Sequence, residues 1–173
     1  MTQSKTPAGE DTTARLVERT FAELHATIIA QEPGVRQGDM EAIHDMRVAT
    51  RRLRVALSNF GACWTKEQRQ QIKFWTQSLA DALGEVRELD VLMESLKPQQ
   101  ASLAVMERPF LGNLIERLRK QRKRRFQTLL LFLDGALYAS FKKEFTKLLP
   151  QPTAAAPTPQ LKTRQPHGQA TQS

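Results

Sequence analysis

Apolar residues recur at intervals of three and four along most of the chain, which is the spacing of amphipathic α-helices. The pattern predicts a first helix over residues 13–31, followed by a turn in the Pro- and Gly-containing segment 32–38. Asp39 is placed to cap a second helix, which ends near Gly61. No long alternation of apolar and polar residues predicts a strand. We therefore expect an all-α fold, an up-and-down helical bundle.

Three more helices are predicted after Gly61. The third carries an apolar stripe from Ile72 to Leu96, and Lys97 with Pro98 is expected to end it. The fourth runs from about Pro109 to Leu133, with the proline suited to a first helical turn. A short fifth helix covers residues 137–149 and completes the bundle.

Both ends of the chain lack this periodicity. Residues 1–13 are polar, and from Pro150 onward prolines alternate with Thr, Gln and Ala, a composition that cannot bury a core. We therefore predict a disordered N-terminus at 1–13, a helical domain at 14–149 and a disordered tail at 150–173.

The second predicted helix carries two stripes side by side. The apolar stripe, suited to bundle packing, consists of Ile43, Met46, Thr50, Leu53, Leu57 and Phe60. The cationic stripe beside it consists of His44, Arg47, Arg51 and Arg54. Val48 and Val55 border the cationic stripe on its other side, which a fully solvated face would not show. No Asp or Glu occurs between Met46 and Lys66, so we expect neutralisation from outside this helix.

Two interpretations of this stripe remain. A solvated surface would use acids four residues away for salt bridges, and this helix offers none at that spacing. An anion-binding groove needs no such acids, and it is the interpretation we favour.

The fourth helix repeats the excess of positive charge, with seven cations between Arg117 and Arg125. Arg122 and Arg125 project onto its apolar face, where unpaired charge is costly, so they require anionic neighbours or a water-filled groove. The cations that project outward form a basic solvated surface: Arg117, Lys120, Lys123 and Arg124.

One acid of the third helix lies near its inward stripe. Asp90 is three residues from Arg87, so the two can form a local salt bridge, or Asp90 can instead brace an arginine of a neighbouring helix. In either case we expect Arg87 and Asp90 to have structural, orienting roles.

Composition narrows the choice of partners. The 173 residues contain 26 Lys and Arg against 18 Asp and Glu, a net charge of +8 that favours polyanions such as nucleic acid, anionic membrane or polyphosphate. Cys63 is the only cysteine, which excludes an internal disulfide. The first thirty residues do not show the basic start and continuous apolar segment of a secretion signal, so we expect none, and the longest apolar run, residues 129–133, is far too short to span a membrane. We therefore expect a soluble, cytoplasmic protein.

The sequence offers little for catalysis. The three histidines have no metal-ligand spacing, and there is no glycine-rich phosphate loop or isolated pair of carboxylates. His44 is more simply used to hydrogen-bond a phosphate than to donate a proton in a reaction. We expect no enzyme activity, no metal and no cofactor.

Two motifs resemble the CHAD family of histidine-containing α-helical domains. The segment "HDMRVATRRLRVALSNF", preceded by "GDMEAI", is similar to the first family signature through His44, Arg47, Arg51, Arg52 and Arg54. The segment "LGEVRELDVL" resembles the second signature, with Arg87, Asp90 and Val91 in place and Glu88 where an aspartate is usual.

This resemblance implies a non-enzymatic domain that binds inorganic polyphosphate in a central basic channel and is associated with polyphosphate granules. The expected phosphate-binding residues are His44, Arg47, Arg51, Arg52, Arg54, Arg122 and Arg125. Such domains often accompany a triphosphate-hydrolysing domain with a Glu-x-Glu-x-Lys strand, a pattern absent here. The chain therefore resembles the binding module alone.

Complete members of the family have two similar helical halves, whereas here the chain passes into the tail at Pro150. The resemblance therefore covers the N-terminal half, and we expect a homodimer that rebuilds the channel, or else a truncated gene product.

Two other functions remain open. A general nucleic-acid binder would use the outer face of the fourth helix and the tail, with nucleic acid as a weaker ligand than polyphosphate. An enzyme acting on a phosphorylated substrate is the third possibility.

Overall fold

A computed structural model describes residues 8–102, 106 and 108–149. Five α-helices follow in order: α1 (Ala8–Arg36), α2 (Met40–Phe60), α3 (Lys66–Ser102), α4 (Arg108–Asp134) and α5 (Ala136–Glu144). Short 3₁₀ helices follow α2 at Gly61–Cys63 and α5 at Phe145–Leu148. These ranges contain no strand, which confirms the all-α fold. The predicted tail at 150–173 lies outside the described residues.

Consecutive helices pack against each other. α2 lies between α1 and α3, α4 packs on α3, and α5 contacts both α3 and α4. The short connections between α1 and α2, α2 and α3, and α3 and α4 make these neighbours antiparallel, as predicted for an up-and-down bundle. The row of α2 that faces the bundle is buried from Ile43 to Leu57, and Phe60 is half-buried. Each buried large side chain in this row contributes about 1.5–3 kcal/mol through removal from water.

Aromatic residues hold α5 against the rest of the bundle. Phe141 and Phe145 surround the imidazole of His25 on α1, and the His25 and Phe145 rings stack at a centroid distance of 4.6 Å. Trp75 of α3 contacts Phe141 edge-on at 6.1 Å. These rings join α1, α3 and α5 into one core.

The turn between α1 and α2 differs from the predicted one. α1 runs from Ala8 to Arg36. It continues past Pro33 because a proline in the last turn removes only one helical hydrogen bond. The chain reverses at Gly38, whose φ of +78° favours glycine. Asp39 caps α2 as predicted, and its carboxylate accepts a hydrogen bond from the amide of Glu41 at 3.1 Å.

Pro98 also lies inside a helix, so its expected role as the end of α3 is wrong. Lys97 and Pro98 are both exposed. Water can therefore hydrogen-bond the carbonyl oxygen that the proline leaves without a donor, and the helix continues to Ser102.

Glu32 ties α1 to α5. Its carboxylate accepts hydrogen bonds from Arg36 Nε at 2.8 Å, Lys142 Nζ at 3.1 Å and the Tyr138 hydroxyl at 3.2 Å. Burial alone would raise the pKa of Glu32, but the hydrogen bonds and charges of Arg36 and Lys142 outweigh it and lower the pKa. Burial, reinforced by Glu32, raises the pKa of Tyr138 far above its usual value.

Candidate anion-binding site

The cationic side chains of α2 project away from its buried row. Arg47 and Arg54 are half-buried, whereas His44, Arg51 and Arg52 are exposed. None of these five side chains forms a hydrogen bond or ion pair with another residue that the structure describes. The four guanidinium groups and the His44 ring are thus available to an external anion.

A first groove separates the arginines of α2 from α3. Arg47, Arg51 and Arg54 form one side of an opening of about 460 Å³. The α3 side consists of Ala80, Asp81, Gly84, Glu85 and Glu88. The sequence pattern alone does not place these acids opposite the arginines, and no ion pair joins the two sides among the described residues. This groove, which we call the mixed groove, has three cations facing three acids.

A second groove continues from the first toward the end of α2. Arg51 and Arg54 line it together with three cations from the start of α3: Lys66, Arg69 and Lys73. Its volume is about 850 Å³, and no acid is among the described residues that line it. We call it the basic groove.

These three α3 residues were not among the predicted site residues, although their spacing of three and four is typical of a single helical face. Lys66, Arg69 and Lys73 share one helical face, in the same way as the arginines of α2. Only the packing of α3 against α2 shows that the two rows border one groove.

The third opening lies on the other side of α2, toward α1. Val48 and Val55 line it with Arg52, and Arg51 reaches this side as well. The predicted apolar border is therefore present, with Val48 half-buried and Val55 exposed. Arg52 lines this opening and neither of the other two grooves on α2.

Arg122 has its partners inside the protein. Its guanidinium donates to the fully buried carboxylate of Asp90, through Nε to Oδ1 and through Nη2 to Oδ2 at 3.3 Å. Nη2 also donates to the carbonyl oxygen of Gly38 at 3.1 Å, and the group lies over the ring of Phe126. Of the two arrangements expected for Asp90, the structure therefore has the one that braces a neighbouring helix.

Arg125 is placed differently from the prediction. It was expected on the inward face, but it is exposed and donates to Glu85 of α3 at 3.1 Å. It borders the outer basic surface of α4 with Arg117, Lys120 and Arg124. Its position at the edge of the α3–α4 contact leaves its charged end in solvent, as is common for long side chains.

Arg87 pairs within α3, where Nη1 lies 3.5 Å from the carboxylate of Glu94 rather than beside Asp90. Together with the bracing of Arg122 by Asp90, this arrangement gives both signature residues of α3 contacts within the protein. Their predicted orienting roles are compatible with these contacts.

His25 is also a titratable group enclosed by the bundle. Burial lowers the pKa of His25, and its Nε2 has no hydrogen-bond partner among the described residues.

No cluster of three His, Cys, Asp or Glu able to hold a metal occurs in residues 8–102, 106 and 108–149. Within the same ranges, no helix has the length and apolar content needed to span a membrane.

Comparison with known proteins identifies the family. The family model of the CHAD domain matches residues 19–170, which includes both the arginine row of α2 and the segment around Asp90. The match continues past Leu149, and residues 150–170 lie outside the described ranges. An uncharacterized protein of Mycobacterium tuberculosis, Rv2226, is 30% identical over 124 residues, which cover 70% of this chain and 23% of that protein. Because the family model matches most of its length, the chain belongs to the CHAD domain family.

Proposed function

We propose that this protein binds inorganic polyphosphate, without catalysing a reaction on it, through the cationic row of α2. The observation that carries the proposal is the set of arginines at positions 47, 51 and 54, which line open grooves and have no partner among the described residues. Membership of the CHAD domain family supports the same ligand class.

The chemistry of arginine suits a phosphate chain. A guanidinium stays charged at any physiological pH and donates two parallel hydrogen bonds to a phosphate. From Arg47 to Arg54 the α2 axis rises by about 10 Å, so an extended polyanion lying along the helix meets each arginine in turn. His44 extends the same row by about one helical turn and can hydrogen-bond a phosphate oxygen.

The remaining predicted contacts are secondary in this proposal. Arg52 lies toward α1, and Arg122 and Arg125 already have carboxylate partners. We propose that Arg122 mainly positions α4 and the turn at Gly38, and that Arg52 and Arg125 contact only a chain that extends beyond the grooves.

Thermal unfolding with added polyphosphate tests the proposal. A ligand that binds only the folded protein raises the melting temperature, and we expect this rise with the wild type. The double variant Arg47→Ala/Arg51→Ala should keep the fold and lose most of the shift. Arg117→Ala/Arg124→Ala removes the same charge from the outer surface of α4 and should keep the shift. Equal loss in both double variants would contradict a specific site on α2.

The competing function is general nucleic-acid binding through the outer surface of α4. Arg117, Lys120 and Arg124 are exposed there and border an opening of about 540 Å³. Single-strand binders usually stack bases on aromatic rings, and the arginine row of α2 contains none. Competition at one salt concentration separates the functions. Polyphosphate must bind better than single-stranded DNA of equal total charge, or the proposal is wrong.

We also propose that two copies of the chain associate to complete a channel around the ligand. Sedimentation equilibrium at micromolar concentration, with and without polyphosphate, tests this association. A monomer under both conditions would contradict it and leave the binding proposal intact.

A further inference from the structure

The mixed groove and the basic groove share Arg51 and Arg54 but differ in charge. In the mixed groove, Asp81, Glu85 and Glu88 stand opposite the arginines. In the basic groove, all five charged side chains among the described lining residues are cations. A polyanion that occupies both grooves is therefore attracted by the cations of the basic groove. In the mixed groove, the arginines attract it and the acids repel it.

The cations on α3 are placed to share a ligand with those on α2. Lys66, Arg69 and Lys73 are exposed, and none has an ion-pair partner among the described residues. The buried side chains of Ile72 and Trp75, which face the bundle, fix the orientation of this row. The two rows thus form facing sides of one opening rather than separate patches.

Side-chain hydrogen bonds between Thr65 and Gln68 cap the start of α3. The Thr65 hydroxyl accepts from the amide of Gln68 at 3.3 Å, and the Gln68 side chain accepts from the amide of Thr65 at 3.1 Å. This reciprocal pair is a capping box, which fixes the first turn of the helix. Lys66 and Arg69 therefore project from a helical turn whose backbone is held by this cap.

Gly61 brings Arg69 close to the end of α2. A Cβ at position 61 would lie 2.9 Å from Arg69 Cδ, so the absence of a side chain gives the arginine room to cross the corner between α2 and α3. The backbone of Gly61 has an ordinary helical φ of −59°, which an alanine can adopt. Replacing Gly61 by Ala would thus displace Arg69 with no change in charge.

We propose that the basic groove is the principal phosphate-binding segment, and that Lys66, Arg69 and Lys73 bind the phosphate chain together with Arg51 and Arg54. This inference rests on the proposed polyphosphate-binding function and assigns residues outside both sequence signatures. The acids of the mixed groove weaken binding there, so the chain is held most tightly at the start of α3, and the segment beside Arg47 and Gly84 contributes less.

Calorimetric titration of polyphosphate at fixed salt tests the assignment. Lys66→Gln/Lys73→Gln should weaken binding by about tenfold or more, because two charge-assisted contacts are lost. Arg117→Gln/Arg124→Gln is the matched control with the same charge change, and its affinity should stay within about twofold of the wild type. Gly61→Ala should weaken binding with unchanged net charge. Asp81→Asn/Glu88→Gln should strengthen binding, since opposing charge is removed.

The outcomes separate this inference from the proposed function. If the wild type binds polyphosphate and Lys66→Gln/Lys73→Gln binds equally well, the basic groove is not the principal site and the function stands. Weaker binding by Asp81→Asn/Glu88→Gln would overturn the opposing role of the acids. Failure of the wild type to bind polyphosphate would contradict the proposed function itself.

Discussion

Asp90 and Arg122 form an ion pair in which the carboxylate is fully enclosed and the guanidinium is one-fifth exposed. Replacing Asp90 by Ala leaves the arginine without its counter-charge, and we expect a loss of about 3–5 kcal/mol in unfolding free energy. Urea denaturation of the single variants and of Asp90→Ala/Arg122→Met measures this cost. The double variant should be more stable than Asp90→Ala alone, and strict additivity of the single losses would contradict the pairing.

Glu32 makes stability depend on pH. Its pKa is lower in the folded protein than in the unfolded chain, so its stabilising contribution is complete above the unfolded value of about 4.3 and is lost as pH falls through the folded value. Glu32→Gln should cost about 1–3 kcal/mol at pH 7. The difference from the wild type should shrink in acid as the wild-type carboxylate is protonated.

Glu23 provides the matched control for Glu32, because its pair with Arg19 is exposed to solvent. Glu23→Gln should change the unfolding free energy at pH 7 by much less than Glu32→Gln, because exposed ion pairs contribute little to stability. An equal loss in the two variants would show that the enclosed position of Glu32 has no special role.

The contrast between these residues shows which contacts a sequence can predict. The buried row from Ile43 to Leu57 follows from helical spacing within one segment, and the sequence analysis placed it correctly. Glu32 lies 110 residues from Lys142, and local spacing contains no information about a contact at that separation. For Asp90, the pattern left two partners open, and only the packing of α4 on α3 selected Arg122.

At the level of elements, two glycines should respond to alanine in opposite directions. Gly38 has a left-handed φ of +78°, and a Cβ there would meet the ring of Phe126 at 3.4 Å. Gly38→Ala should lower the unfolding free energy by about 1–2 kcal/mol. Gly84 lies within α3, and a Cβ there would have no atom within 4 Å. Gly84→Ala should therefore raise the unfolding free energy by about 0.5–1 kcal/mol. Urea unfolding measures both, and changes of the same sign would contradict this account.

Helix boundaries were predictable to different degrees. The start and end of α4 and the cap of α2 follow from local chemistry, and the structure agrees with them within a residue or two. Pro33 was predicted to lie in a turn with the nearby glycines and Pro98 to end a helix, yet both lie inside helices near their C-terminal ends. The remaining hydrogen bonds of the helix and water compensate for the one hydrogen bond that the proline removes. A prediction from the proline alone does not include these contributions.

At the scale of the whole molecule, the excess of positive charge is divided among several surfaces. The net charge of +8 predicted a polyanionic partner but not where it binds. The acids of α3 and the cations at its start occupy different segments of the same helix. The relative position of α2 and α3 decides which arginines of α2 face the acids and which face the cations. Composition therefore indicates the class of ligand, while helix packing distinguishes the two grooves.

Salt dependence gives the final test at this scale. If a phosphate chain neutralises the five cations of the basic groove, the counterion argument for nucleic acids predicts that log affinity falls with log salt at a slope of about −3.5 to −4.5. Lys66→Gln/Lys73→Gln should reduce the magnitude of the slope by about 1.4–1.8, because two counterions fewer are released on binding. Arg117→Gln/Arg124→Gln carries the same net charge as that variant, but its cations lie outside the groove, so its slope should equal that of the wild type. Equal slopes for all three proteins would mean that the lysines do not contact the phosphate chain, and equal reductions in both variants would mean that only the overall charge of the protein determines binding.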